Sequence, residues 1–328
     1  VTSSSASAVR APEVSYVVAA FDHEAYVRAA VESILAQDFA DLEVVVVDDG
    51  SADATPRIVE EMARSDGRIR FERRPHAGVV AARNAGVAMS RGAFVSIVDS
   101  DDLIPPDRTR RLVAALKARP SAALAWGDAW IADADGRPGE RFSRFYPPAS
   151  GAFAERLFET YCFVPAVSVM SRRSALDASG PFWGPGASTD YLKWIELGLL
   201  GDAVRVDGEP LGSWRLHGLN ESMRSPARVA ASYAELADAL RELADRHADL
   251  AGRVSEPKIR RRCSKCHVMA AFHLSRAGEW AAADASFRRA SDLSPGWIPT
   301  VGRAATWPVL RWGTRLACRV LARVRLPG

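Results

Sequence analysis

The chain has 328 residues, 48% hydrophobic and 25% charged, which suits one large or two modest soluble domains with a substantial core. Its net charge of +3 is uneven: residues 301–328 hold six Arg and no acid, so the first 300 are net negative and make a poor nucleic-acid surface. No run reaches the roughly 18 apolar residues of a membrane span, residues 1–12 lack an apolar signal core, and four cysteines are too few for a disulfide scaffold. The chain therefore reads as a cytosolic protein.

Residues 1–12, rich in Ser and Ala, read as disordered. From Val14 strand and helix patterns alternate. Val14–Ala20 reads as strand, Glu24–Gln37 as helix, Leu42–Val47 as strand and Ala54–Arg64 as helix, with Asp53 or Thr55 available as its cap and Pro56 in its first turn. Ile69–Glu72 is a short strand, Val79–Met89 a helix, Ala93–Val98 a strand, Asp107–Ala118 a helix and Ala122–Ile131 a strand. This alternation predicts an α/β fold, a Rossmann-like doubly wound and mostly parallel sheet with helices on both faces. Beyond Gly136 the regularity fails. Arg137–Gly151 reads as loop, Pro165–Met170 as strand, Gly180–Ser188 as loop, Asp190–Leu200 as helix and Val204–Leu216 as a last strand region. From Pro226 the pattern is helical, with breaks near Ser255-Glu256-Pro257 and Ser294-Pro295-Gly296, so a boundary is placed near residue 225. The expected layout is a body over 13–225 and an all-helical extension over 226–328.

Two acidic clusters follow the apolar strands: Asp48-Asp49-Gly50-Ser51 and Asp99-Ser100-Asp101-Asp102. In an open α/β sheet the crevice beyond the carboxyl ends of the strands binds ligands. Carboxylates crowded on one turn repel unless a cation lies between them, and hard oxygen ligands suit Mg²⁺ or Mn²⁺. A carboxylate, being acceptor-only, would suit a base with an imide N–H such as uracil or thymine. Between the clusters, Arg83 stands in a helix where it could reach an anionic diphosphate.

The order of these segments carries a resemblance. Val14–Ala20 with Phe21-Asp22-His23, then Val31-Glu32-Ser33-Ile34-Leu35-Ala36-Gln37-Asp38, Asp48-Asp49-Gly50-Ser51, Ala82-Arg83-Asn84-Ala85-Gly86 and Asp99-Ser100-Asp101-Asp102 resemble the family 2 inverting glycosyltransferases over roughly residues 13–220. The resemblance implies the GT-A fold, a nucleotide-sugar donor, a saccharide or lipid-linked acceptor and a divalent cation, Mn²⁺ or Mg²⁺. It implies that Ala19, Phe21, Asp49, Arg83, Asp99 and Ser100 surround the nucleotide sugar, with Asp49 reading the base and Arg83 near ribose and diphosphate. It further implies that Asp101 and His217, the latter in Trp214-Arg215-Leu216-His217, stand at the metal, and that Asp190 is the catalytic base. Two positions depart from the family pattern. Phe21-Asp22 stands where Tyr-Asn is usual, and Thr189 replaces the acidic residue before Asp190.

The remaining signals are local. Cys263-Ser264-Lys265-Cys266-His267 has the spacing of a haem attachment site but no export signal and no second ligand cluster, and reads as part of a helix. Gly278-Glu279-Trp280, Ala283, Phe287, Ala290 and Pro295 match half of a tetratricopeptide repeat; one copy makes a helical hairpin, not a solenoid. Residues 307–326 form a basic amphipathic pattern, Arg311, Arg315, Arg319 and Arg323 opposite Leu310, Leu316, Val320 and Val324, that suits either the protein's own body or an anionic inner membrane surface. The reading is an inverting transferase of nucleotide sugars, of UDP or dTDP type, in cell-surface glycan synthesis. A nucleotidyltransferase is the rival enzyme, though Ala19–Glu24 is not the Gly-rich basic loop it needs. A decayed body serving as an interaction protein is the rival from another class.

Overall fold

The computed structural model describes residues 10–218, 220 and 225–295. Strands β1 (Val14–Ala20), β2 (Leu42–Asp48), β3 (Ile69–Arg73), β4 (Phe94–Ile97) and β5 (Ala122–Gly127) alternate with helices α1 (Val27–Leu35), α2 (Thr55–Ser65), α3 (Val79–Met89) and α4 (Arg108–Ala118). Later come β6 (Trp130–Ala132), β7 (Pro138–Arg141), α5 (Phe142–Phe145), α6 (Phe153–Glu159), β8 (Met170–Arg172), α7 (Arg173–Ala178), α8 (Thr189–Leu200), β9 (Asp202–Val206) and β10 (Ser213–Arg215). The main sheet has seven strands in the order β3-β2-β1-β4-β8-β5-β9, parallel except at β8, and a small second sheet runs β10-β6-β7. The expected doubly wound, mostly parallel sheet is present.

All seven residues of β2 are buried because both faces of the sheet are covered. Successive side chains go to opposite faces: Val44 and Val46 pack with Val18, Val31 and Ile34, whereas Val45 and Val47 meet Ala82 and Ala85 of α3. Helix α3 comes close to β1 because Gly86 lacks a side chain; a Cβ there would run into Val17 Cγ1. Register then places the chemistry. Ala20 pairs with Asp48 and Val17 with Ile97, so Phe21, Asp49 and Asp99 emerge at one edge.

Four segments differ from their sequence expectation, each because side chains intercept backbone groups. The expected strand Ala122–Ile131 is two strands: Asp128 accepts from the N–H of Ala129 and Ser143 and from the Ser143 hydroxyl, turning the chain into the second sheet. For the same reason the expected loop Arg137–Gly151 contains β7 and α5. The expected strand Pro165–Met170 is a 3₁₀ turn at Ala166–Ser168, followed by β8. Here the fully buried Arg108 takes the carbonyls of Val167 and Val169, along with Tyr16 Oη and Ser96 Oγ. Helix α1 also begins later than expected, after a turn whose His23 and Glu24 N–H groups donate to Thr55 Oγ1 and Asp53 Oδ2. Ala54 occupies the cap position of α2, and Asp53 Oδ1 accepts from Thr55 N–H at 2.9 Å.

Helices α9 (Pro226–Arg246), α10 (Ala248–Arg253), α11 (Glu256–Ala277) and α12 (Trp280–Leu293) follow. They share a core with the body: Leu236, Leu240, Leu243 and Cys263 join Trp126, Phe158, Leu192 and Ile195 in one cluster. Cys263 and Cys266 are buried within α11, as a plain helix reading requires. The α11–α12 pair forms a hairpin through Gly278 in the left-handed conformation (φ 82°), with Ser264 Oγ donating to the carbonyl of Ala290. No helix among the described residues is long and apolar enough to cross a membrane. The basic pattern at 307–326 and the start of the chain, residues 1–9, lie outside the described residues.

Candidate active site

The two adjacent aspartates at the end of β2 have different surroundings. Asp48 is fully buried and closes the turn, accepting from Ser51 N at 3.1 Å and from the Ser51 hydroxyl, with Arg73 Nε at 3.4 Å. Gly50 is required there, since φ is +79° and a Cβ would lie 2.7 Å from His76 N. Asp49 faces the loop before α3. Its Oδ1 accepts from Ala77 N at 2.9 Å and its Oδ2 from Gly78 N at 2.8 Å, with His76 Nδ1 also 2.9 Å from Oδ2. The hydrogen bond of His76 Nδ1 is to the Asp49 backbone carbonyl, at 3.0 Å. A carboxylate has about four acceptor positions, so the two backbone donors leave room for a ligand's donor. The His76 ring lies 4.4 Å from that of Phe21, and Phe21 is 38% exposed. Ala19, one pair short of the end of β1, packs against the Val45, Val47 and Ala82 cluster behind this surface. The result is an open aromatic surface beside a buried carboxylate.

Arg83 lies on α3 and is almost wholly buried. Its Nη2 donates to Asp99 Oδ1 at 2.7 Å, while Nε and Nη1 have no partner. Burial works to lower its pKa, but the charges of Asp99, Asp190 and Asp101 prevail and hold the guanidinium above its ordinary range. The neighbouring Asn84 explains the rest of its motif. Its amide accepts from Phe182 N at 2.7 Å and donates to Phe182 O at 2.9 Å, locking α3 to the loop that leads into α8.

The second acidic cluster divides its labour as well. Asp99 faces Arg83. Ser100 is buried with its hydroxyl 2.7 Å from His23 Nδ1. Asp101 Oδ2 lies 2.9 Å from His217 Nε2 and accepts from Asn220 Nδ2 at 3.2 Å. Burial pushes the Asp101 carboxyl up, yet the hydrogen bond with His217 and the nearby His23 hold it below the usual range. Asp102 is structural: its Oδ1 accepts from Arg215 N at 3.0 Å, and burial beside Asp101 and Asp99 raises its pKa well above normal. The Arg215 side chain donates to the Asp101 carbonyl and sits 5.0 Å over the Tyr26 ring, which stacks on His217 at 4.2 Å. One oxygen of Asp101 and one nitrogen each of His23 and His217 lie within 4.8 Å of one another. Two imidazoles and a carboxylate at that spacing fit a divalent transition ion such as Mn²⁺.

Asp190 is the second residue of α8, and the cap position is Ser188, so it is not simply a helix cap. Burial raises its pKa, Arg83 opposes that shift, and Asp99 adds to it. The backbone donors at the helix start favour the ionised form, but burial outweighs them. Helix α8 is held by Tyr191 Oη, which donates to Leu157 O, and by Lys193 Nζ, which donates to the carbonyls of Gly180 and Pro181 at 3.1 Å.

The structure thus gathers Asp49, Phe21, Arg83, Asp99, Ser100, Asp101 and His217 beyond the carboxyl ends of β1, β2 and β4, with Asp190 within electrostatic reach of Arg83 and Asp99. It adds His76, His23 and Asn220, which sequence reasoning had not assigned. Their one signal was adjacency, His23 following Phe21-Asp22 and His76 preceding the helix of Arg83.

A family model for glycosyl transferase family 2 matches residues 15–179. The chain is 41% identical over 137 residues to the succinoglycan biosynthesis protein ExoO of Rhizobium meliloti, covering 41% of this chain and 38% of that protein. It spans about a third of the length of several curated relatives that it matches. Among solved structures, S. aureus TarS 1-349 in complex with UDP-GlcNAc aligns with a TM-score of 0.56 at 16% identity, over 85% of this chain and 90% of that one. The mannosyltransferase PcManGT from Pyrobaculum calidifontis, in complex with GDP-Man and Mn²⁺, aligns at 0.57 and 18% identity, over 94% and 81%.

Proposed function

Because this chain belongs to glycosyl transferase family 2 and has the GT-A fold, we propose that it is an inverting, metal-dependent transferase of a sugar from a UDP- or dTDP-type donor to an acceptor hydroxyl in glycan synthesis. The carrying observation is Arg83: a buried guanidinium with two unpartnered nitrogens, within electrostatic reach of Asp99, Asp190 and Asp101. Unpartnered donors in a buried cation are costly unless a ligand supplies the acceptors, and a diphosphate has them in the right geometry.

In this reading Phe21 and His76 bear on the base, Asp49 accepts its imide N–H, and Asp99 with Ser100 face the ribose. Arg83 holds the diphosphate. His23, Asp101 and His217 would hold the divalent cation, which when bound neutralises charge on the leaving diphosphate. The acceptor hydroxyl approaches the anomeric carbon from the face opposite the nucleotide, and Asp190 takes its proton as the new C–O bond forms and the bond to the phosphate oxygen breaks. An α-linked donor yields a β-linked product and a nucleoside diphosphate. TarS was solved with UDP-GlcNAc and PcManGT with GDP-Man, so the uridine or thymidine preference rests on Asp49. ExoO, by its name, serves succinoglycan biosynthesis, which supports a glycan product. The division into a body over 13–225 and a helical extension is likewise part of this reading. The basic pattern at 307–326 supports attachment to an anionic membrane surface on the cytoplasmic side.

The test is release of nucleoside diphosphate from a panel of UDP- and dTDP-sugars with Mn²⁺, with Mg²⁺ and with chelator. Turnover of at least one donor that chelator abolishes is expected. No binding and no turnover of any nucleotide sugar would overturn the proposal.

A further inference from the structure

Lys193 on α8 is fully buried, and a buried ammonium is costly unless polar and charged partners surround it. Its partners lie in one short stretch of chain. Nζ faces the carbonyls of Ser179, Gly180 and Pro181 at 3.3, 3.1 and 3.1 Å and Ser179 Oγ at 3.1 Å. It also sits 5.3 Å over the Phe182 ring. Gly180, left-handed at φ 72°, makes the turn that brings the three carbonyls round one cation. Glu196, one helical turn on, places Oε2 2.5 Å from Nζ, and its Oε1 accepts from Trp183 Nε1 at 2.7 Å. Every residue from Ser179 to Trp183 is therefore tied to the Lys193–Glu196 pair.

The same stretch is bonded to α3. Asn84 exchanges two hydrogen bonds with the Phe182 backbone, at 2.7 and 2.9 Å. Residues 179–183 thus form a strut between two helices, joined at Phe182 to the helix of Arg83 and at the carbonyls to the helix of Asp190. Helix α3 has a second anchor, since Ala82, Ala85 and Gly86 seat it on the sheet against Val17, Val45 and Val47. Helix α8 packs Leu192 and Ile195 into the core shared with the extension, and turns Lys193 and Glu196 to the strut. On the outer side Arg246 of α9 covers the Trp183 ring at 4.2 Å, and His247 Nε2 lies 3.4 Å from Glu196 Oε1. The extension therefore braces the strut from behind.

We propose that Lys193, paired with Glu196, is a positioning residue: through the 179–183 strut it fixes the start of α8, and so the angle at which Asp190 meets the acceptor hydroxyl. The proposal deepens the transferase reading and rests on it. A buried ion pair adds little net stability over apolar residues of equal volume, but its geometry adds direction. An apolar side chain at position 193 would fill the space and leave three carbonyls with no cation to orient them. Proton transfer needs the reacting atoms near hydrogen-bond distance, so a small rotation of α8 costs rate without touching the nucleotide.

The test uses the full chain with Mn²⁺ and the UDP- or dTDP-sugar that wild type turns over. Lys193→Met/Glu196→Gln removes both charges together, so neither is left buried alone, and Gln still accepts from Trp183. This variant should melt close to wild type and bind UDP with unchanged affinity, while kcat for nucleoside diphosphate release falls about tenfold to a hundredfold. A further arm adds Asp190→Asn. Because the pair acts through Asp190, the triple variant should be no slower than Asp190→Asn alone. Should the double variant fail to fold, Trp183→Phe takes its place; it keeps a ring, removes the bond to Glu196, and should lose about threefold in kcat. Wild-type kcat in the folded variant, losses that multiply with Asp190→Asn, or a matching fall in UDP affinity would overturn the proposal. A wild-type chain that turns over no nucleotide sugar would sink the transferase reading itself, and this role with it.

Discussion

Arg83 and Asp99 are joined at 2.7 Å through a single guanidinium nitrogen, and the other two nitrogens of that side chain have no partner. The pair is thus half used. Arg83→Lys should keep the charge beside Asp99 and the fold, but lose the fork that grips two oxygens at once. Affinity for UDP should fall about tenfold or more, the usual worth of a charge-assisted hydrogen bond. Calorimetric titration measures this, and an unchanged affinity would detach Arg83 from the diphosphate.

Metal dependence is concentrated in three side chains. Asp101→Asn keeps shape but removes the only carboxylate of the His23–Asp101–His217 group. His23→Ala removes one imidazole and leaves the sheet untouched. Both should reduce Mn²⁺-dependent donor binding at least about tenfold, while chelator removes it from wild type. Donor binding by Asp101→Asn at limiting Mn²⁺ that matches wild type would remove Asp101 from the metal.

Base preference follows from the spare acceptor position on Asp49. UDP and dTDP, which carry an imide N–H, should bind roughly tenfold tighter than CDP, whose ring nitrogen at that position is itself an acceptor. Asp49→Asn should narrow the gap. Equal affinities for the three nucleotides, or a preference for CDP or GDP, would take Asp49 out of that role.

How much of this was legible in the sequence depends on what fixes each part. The strands ending at Asp48 and Ile97 are set by apolar runs that periodicity reads well, and so is the edge where Asp49 and Asp99 emerge. The region from Asp128 to Met170 was misread because single side chains decide it: Asp128 turns the chain, and Arg108 claims carbonyls that a strand would use. Among site residues, His23 was hidden for a similar reason. It reaches Asp101 because Asp22 adopts φ 51°, held by Ser51 Oγ on its N–H and by Ala52 N–H on its carboxylate. No spacing rule ties positions 23, 101 and 217 together. His76 was hidden too, since it acts on Asp49 from a loop 27 residues away that has no periodic pattern.

Asp190 supplies the sharpest prediction because its two candidate roles, base and structural group, move different observables. Burial raises its pKa, with Asp99 adding to the effect and Arg83 opposing it. A base must be ionised to act, so kcat/KM should fall as pH drops through the Asp190 pKa, at a pH above the ordinary Asp value of about 3.9. The stability effect has the opposite sense. A carboxyl whose folded pKa is raised contributes most when protonated, below its unfolded pKa, and that contribution is lost as pH rises through the folded pKa. Asp190→Asn should therefore melt no lower than wild type at neutral pH, with any advantage shrinking in acid. Its turnover should drop about 10²–10⁴-fold while UDP affinity stays nearly constant, the signature of a lost proton acceptor. A structural Asp190 would do the reverse, lowering the melting temperature while leaving transfer near normal. Transfer assays, melting curves and UDP titration on the same preparation decide between them, and near-wild-type transfer by a folded, nucleotide-binding Asp190→Asn would exclude it as the base.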